Sequence, residues 1–354
     1  MHILYCHHGY FPLVAGAEAM TYRVAQVMQQ RGHIVKVVCQ SAGEAIETYI
    51  HGDLEITGFP QLNPTALQTH FSWQPEIVHA VDAVWPTYLW EAKALADAWR
   101  VPFAITPAST LSTWTDLAAG LAVCKEANVL FVLTKAEGEQ LVQCGLAPQK
   151  LALIGQGPQL IGEPDPEDFR RRYGIDGPMV LFLGRKAHFK GYKLLLEATK
   201  PIWSQCPTTV FVFMGPRWDA DCAEVFAAFA DPRIIEIDQV GEQEKHNALA
   251  ACDLLCLPST ADVFPLVYVE AWSCGKPVIA SCFPGVEEIV RHEQDGLIVA
   301  PEPGAIAEAI LRLLRDPHQR HLMGRAGLER VRRQLNWNVV ADRIEVAYTT
   351  ICPL

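Results

Sequence analysis

Four side chains and one glycine stand where chemistry is done in this 354-residue chain. The stretch "GRKAHFKG" puts Arg185 and Lys190 between two glycines, directly after the apolar run "MVLFL". On spacing alone, two cations at a strand end are as readily a solvated turn as anything else, and the rest of the chain has to decide. Further on, "STADVFPLVYVEAWSCGKPVIAS" carries Asp262 and Glu270. Pro265 suits a first helical turn, Gly275 a C-terminal cap, and Pro277 prevents continuation, so a helix is expected over about 265–274. Asp262 then precedes the helix and Glu270 lies in its second turn, where each meets a different part of one ligand, or else acts as a capping acid and a solvated helix residue. In "HHGYFPLVAGAEAMTYRVAQVMQQRGH", Met20, Val24, Val27 and Met28 recur at helical spacing and Gly32 closes the helix. Gly16 therefore stands at a helix mouth, where backbone N–H groups and the helix dipole favour an anion. Many strand-to-helix turns need a glycine for geometry alone.

The elements that must position these residues follow from the apolar pattern. "HILYC", "IVKVVC", "EIVHAV", "FAIT" and "VLFVL" precede residue 150; "MVLFLG", "TVFVFMG", "RIIEI", "DLLCLP" and "PVIAS" follow it. Short continuous apolar runs alternating with helical patterns indicate parallel sheets covered on both faces, and two such series imply two doubly wound α/β domains. We expect a first domain over 1–156, a Pro/Gly-rich linker over 157–168, a second domain over 169–335, and a closing helix over 336–354. In such sheets ligands bind beyond the carboxyl ends of the strands, which is where the residues above fall.

Composition removes several classes of function. Half the residues are hydrophobic, so the chain folds rather than staying disordered. A net charge of −11 disfavours nucleic acid, which is bound through clustered Lys and Arg, and weighs against docking on anionic lipid. Eleven cysteines without a CxxC pair fit reduced thiols in a cytoplasmic protein; neither a disulfide framework nor a metal site is suggested. No run reaches the length needed to cross a bilayer, and the N-terminus reads as a core strand rather than a leader.

The series "GR…KG", "PS…D-x-F…E-A-x-x-C-G-x-P-V-I-A", "PGVEEIV" and "DGLIV", with "FPLVAGAE…RGHIVKVV" before it, resembles the retaining glycosyltransferases of family 4, which have the GT-B fold. The similarity runs over nearly the whole chain and is strongest from Gly184 to Val299. It implies two Rossmann-like domains facing a cleft, a closing helix packed back on the first, a nucleotide-diphosphate-sugar donor bound mainly by the second domain, and a saccharide or other hydroxyl acceptor presented by the first, with no cofactor or metal. By resemblance, Arg185 and Lys190 hold the donor diphosphate and Gly16 adds backbone donation. Glu270 takes the ribose hydroxyls and Asp262 orients the transferred sugar. Phe264, Leu266 and Val267 complete the donor site.

The chain departs from the family pattern at four positions. Asp262 replaces a longer glutamate, Pro265 a glycine, Ala15 the first glycine of a pair, and Ala108 a histidine that contacts the donor sugar. These departures keep open a non-catalytic subunit that binds sugar nucleotides, and a GT-B sugar-nucleotide epimerase, acting on the donor without an acceptor, is a further alternative. On the acceptor side, His7, His8, His79, Trp85, Tyr88, Trp90 and Trp114 are candidates, with core packing as the competing explanation for each.

Overall fold

A computed structural model describes residues 1–9, 16–41 and 43–352. The chain divides into two compact units, Met1–Gln156 with Asn336–Leu354, and Gly157–Leu335.

The first unit is built on an eight-stranded sheet: β1 (His2–His7), β2 (Ile34–Gln40), β3 (Glu47–His51), β4 (Leu54–Phe59), β5 (Ile77–Val81), β6 (Phe103–Thr106), β7 (Val129–Val132) and β8 (Leu151–Leu153). Their order is β3-β4-β2-β1-β5-β6-β7-β8, and every pairing is parallel except β3 with β4. The runs read as strands from their apolar character are buried because helices cover both faces of a parallel sheet. The antiparallel β3–β4 hairpin lies outside the expected pattern. Its edge strand alternates half-buried and exposed residues, and Gly52 at φ +62° supplies the turn. The final helix, Trp337–Ile351, lies in this unit, packed on the helix Gly16–Gln30 and on β7 and β8. Its Tyr348 is buried, with the hydroxyl 2.6 Å from His79 Nδ1 and 3.2 Å from the hydroxyl of Tyr5.

The second unit holds six parallel strands: β9 (Met179–Leu183), β10 (Val210–Met214), β11 (Ile234–Ile237), β12 (Leu254–Leu257), β13 (Val278–Ser281) and β14 (Gly296–Val299). Their order is β11-β10-β9-β12-β13-β14. The chain starts at the centre, builds outward through β10 and β11, then crosses back to β12, so the order reverses between β9 and β12. Residues 157–168 group with this unit and do not stay a pure linker. Asp165 caps the helix Pro166–Tyr173 through the N–H of Asp168, and Pro166 opens it, which starts the helix three residues before the expected boundary. All eleven cysteines are free thiols, six of them buried.

Candidate functional site

The reversal between β9 and β12 is the place where a doubly wound sheet opens a crevice beyond its strand ends. The loop after β9 carries Arg185 and Lys190; the loop after β12 carries Asp262. Their approach depends on Gly191. It adopts φ +81°, and a Cβ built there would stand 2.3 Å from the carbonyl oxygen of Pro258. Only glycine permits both the conformation and the contact. A backbone bond from Thr260 N–H to the Phe189 carbonyl, 2.8 Å, ties the two loops together. As a result Lys190 Nζ lies 2.5 Å from Asp262 Oδ2, with the two side chains only 15% and 14% exposed. Asp262 Oδ1 accepts from the N–H of Val263 at 3.1 Å. Sequence reasoning gave these two residues separate parts of a ligand; the structure brings them into contact.

The three cations of the loop play different parts. Arg185 is exposed, its guanidinium 4.6 Å from the Trp218 ring centroid, and no carboxylate pairs with it among the described residues. Lys186, which sequence reasoning passed over, is buried and donates to the carbonyls of Gly215 at 2.5 Å and Ile237 at 2.8 Å, with Glu236 at 3.2 Å. It fastens the ends of β10 and β11 and is not available to a ligand. Lys190 is held by Asp262, which leaves part of its three-donor ammonium for another partner.

Glu270 lies in the helix Leu266–Ser273, close to the expected span, with Pro265 at its N-cap. It is fully buried, so it is not a solvated helix residue. Its Oε1 accepts from the backbone N–H of Gln159 at 3.2 Å and from Lys245 Nζ at 2.7 Å. Its Oε2 is buried with no hydrogen-bond partner among the described residues. Burial raises the Glu270 carboxyl and Lys245 opposes the rise. Phe264 is buried just before this helix, while Leu266 and Val267 are half-buried in its first turn.

In the first unit the strand order reverses between β1 and β5. The residues after those strands meet there: the ring of His8 stacks on Trp85, with centroids 4.7 Å apart and planes 25° from parallel. Trp85 is 44% exposed and stays a surface candidate, as does the exposed Trp90. Gly16 is the first residue of its helix and exposed, and among the described residues nothing lies within 4 Å of a Cβ built on it. Ala15 lies outside the described residues. Three acceptor-side candidates are corrected. His79 is buried in β5 between the Tyr348 hydroxyl and Thr106 Oγ1 at 2.7 Å, and is core. Trp114 is 6% exposed, packed against Gly120, with its indole N–H toward the Ser109 carbonyl. Tyr88 is buried, its hydroxyl donating to the Val38 carbonyl at 3.3 Å. His7 is also buried, and burial pushes its imidazole down to about 3, leaving it neutral at ordinary pH.

Two residues at the ends of neighbouring strands adopt positive φ without being glycine: Asp82 at 72° after β5 and Ala108 at 54° after β6. Strained backbone of this kind collects at ligand sites. Asp82 was not among the sequence candidates; an acid directly after the run "EIVHAV" was the available signal. Its Oδ1 accepts from Val84 N–H at 3.1 Å, and burial raises its carboxyl.

Among the described residues no group of three or more His, Cys, Asp or Glu could hold a metal ion, and no helix is long and apolar enough to cross a membrane. Comparison with known proteins agrees with the resemblance in the sequence. The family model "Glycosyltransferase Family 4" matches residues 14–158 and "Glycosyl transferases group 1" matches residues 165–330. A D-inositol 3-phosphate glycosyltransferase 1 from Catenulispora acidiphila is 30% identical over 250 residues, 66% of this chain and 60% of that protein, so the chain spans less than two thirds of this relative. Among solved structures, sucrose-phosphate synthase from Thermosynechococcus elongatus superposes with a TM-score of 0.81 at 21% identity, covering 99% of each chain. Anabaena HepE in complex with UDP-glucose gives 0.80 at 18% identity, covering 99% of this chain and 100% of that one. With two family models covering most of its length and GT-B neighbours matching it from end to end, the chain belongs to the family 4 glycosyltransferases of the GT-B fold.

Proposed function

We propose that this chain transfers a glycosyl group from a nucleotide-diphosphate-sugar donor to a hydroxyl acceptor, with retention of configuration and without a bound metal. The observation that carries the reading is the grouping of Arg185, Lys190 and Asp262 at the β9/β12 reversal, with a buried carboxylate oxygen of Glu270 left for a ligand hydroxyl. The relative's activity and the UDP-glucose bound by the HepE neighbour support a nucleotide sugar as donor.

In this reading the diphosphate lies against the Arg185 guanidinium and the Lys190 ammonium. Bond breaking between the anomeric carbon and the phosphate oxygen moves negative charge onto the diphosphate, so both cations bind the transition state more strongly than the ground state. The acceptor oxygen bonds to the anomeric carbon from the same face, and its proton passes to the departing phosphate oxygen. Asp262, anchored by Lys190, orients hydroxyls of the sugar, and Glu270 accepts from the ribose. No metal is needed because the cations do the neutralising.

The test is turnover of Lys190→Ala against a panel of nucleotide sugars and hydroxyl acceptors. Removing the leaving-group cation should lower kcat about a hundredfold or more; transfer near the wild-type rate would refute the assignment. Ala108 favours one second reading, a subunit that binds the donor without transferring it, since a methyl group cannot replace the hydrogen bond of a histidine. That reading requires donor binding with neither transfer nor slow donor hydrolysis.

A further inference from the structure

We infer that Lys245 is a positioning residue for the donor site: it occupies Oε1 of Glu270 and holds that buried carboxylate in place, so that Oε2 alone is presented to the ligand. The inference rests on the reading of Glu270 as the acceptor for a ribose hydroxyl and deepens it.

Three observations meet here. First, Glu270 is fully buried, and an isolated carboxylate in such surroundings would be driven to its neutral form. Second, Oε1 is already committed, to the Gln159 N–H at 3.2 Å and to Lys245 Nζ at 2.7 Å. Third, Oε2 is buried and unpartnered among the described residues, a costly arrangement in a native fold unless something else binds there. Lys245 comes from a different element, the helix Glu242–Ala251, and its ammonium also meets Glu242 Oε2 at 2.7 Å. The charged and titratable groups facing Glu270 are therefore Lys245 and Glu242 from that helix and Cys274 at the end of its own. Lys245 is the only cation of this set, and it offsets the burial of the carboxylate more than the Gln159 N–H does. Its own ammonium is held charged by Glu270 and Glu242 against the effect of burial.

Lys245 does not touch the ligand in this account. Without it no cation opposes the burial that raises the Glu270 carboxyl, so the group holds a proton more readily, its acceptor strength falls, and the side chain loses the anchor that aims Oε2. Glu270 would then regain its charge only as the pH is raised.

The experiment is calorimetric binding of UDP, GDP and ADP, each beside its 2′-deoxy form, at pH 7 and pH 9. The proteins are wild type, Lys245→Met, Lys245→Arg and the double variant Lys245→Met/Glu270→Gln. Wild type should bind one of these diphosphates with the same Kd at both pH values and lose about tenfold for the 2′-deoxy form. Lys245→Met should bind about tenfold more weakly at pH 7, gain affinity as the pH is raised to 9, and at pH 7 separate ribose from deoxyribose less well than wild type. Lys245→Arg should behave as wild type. The double variant should be weak and independent of pH. If Lys245→Met does not fold, Lys245→Gln serves, since it keeps a donor to Oε1 without the charge and should show the same pH dependence. Wild-type affinity at both pH values in Lys245→Met or Lys245→Gln overturns the inference, as does a pH dependence that survives in the double variant. A wild type that binds ribose and deoxyribose forms equally well instead overturns the ribose role of Glu270.

Discussion

Replacing Gly191 by alanine tests how the candidate site is assembled. Two costs can be worked out. Gly191 has φ +81°, a conformation costing an L-residue about 1–2 kcal/mol. The added methyl would also stand 2.3 Å from the Pro258 carbonyl oxygen, a backbone atom that cannot rotate aside. Overpacking of this kind costs about 1–3 kcal/mol more. Gly174 is the internal control: it caps the helix Pro166–Tyr173 at φ +64°, and a methyl added there would meet nothing within 4 Å. Gly174→Ala should therefore cost only the conformational part, about 1–2 kcal/mol, reduced by the lower entropy of its unfolded chain. Both positions lie in the same unit, so both variants report on the same urea transition, at unchanged m-value. Gly191→Ala should be the less stable by at least about 1 kcal/mol and should lose turnover as well, because the β9 loop shifts and carries Lys190 off Asp262. Equal losses of stability in the two variants would refute the claim that this close approach holds the loops together.

Other consequences are open to measurement. Glu137 is buried in a capping box with Thr134, its Oε2 accepting from Leu133 N–H at 2.6 Å, and burial raises its carboxyl to about 8. The folded chain then keeps this proton up to about pH 8 while the unfolded chain loses it near 4.5, so stability falls as pH rises across that window, by at most about 1.4 kcal/mol per unit. Glu137→Gln should flatten the decline of melting temperature between pH 5 and 8; a parallel decline in both proteins would contradict this. Trp218→Ala removes the aromatic face under Arg185, an interaction of about 0.5–1 kcal/mol, and should raise the donor KM about two- to fivefold, with Trp218→Phe restoring most of it. An unchanged KM would show that the stacking does not position the guanidinium.

Much of this architecture was legible because parallel strands buried on both faces leave continuous apolar runs. "MVLFL", "VFVFM" and "LLCL" are β9, β10 and β12, and the residues that follow β9 and β12 come together at the reversal of strand order. Proline and glycine punctuation located the helix after Asp262 to within a residue. Side-chain direction at a strand end was not legible. His79 lies in such a run, yet its partner Tyr348 is 269 residues away, and no local pattern reports a contact of that separation. Trp114 was misjudged for the same reason, since the surface beside it is made by Gly120 of the next helix. Lys245 sits in "EQEKHN", a stretch that reads as a solvated helix face, and gains its role only from burial against Glu270. The Lys190–Asp262 contact needed the strand order, because the reversal between β9 and β12 joins residues 72 apart.

A crystal structure of the full chain with the nucleoside diphosphate it binds, among UDP, GDP and ADP, tests the central claim most directly. The expected result is a diphosphate within about 3 Å of the Arg185 guanidinium and the Lys190 ammonium, beyond the ends of β9 and β12. A nucleotide bound elsewhere, with both cations in contact only with solvent and protein, would contradict it.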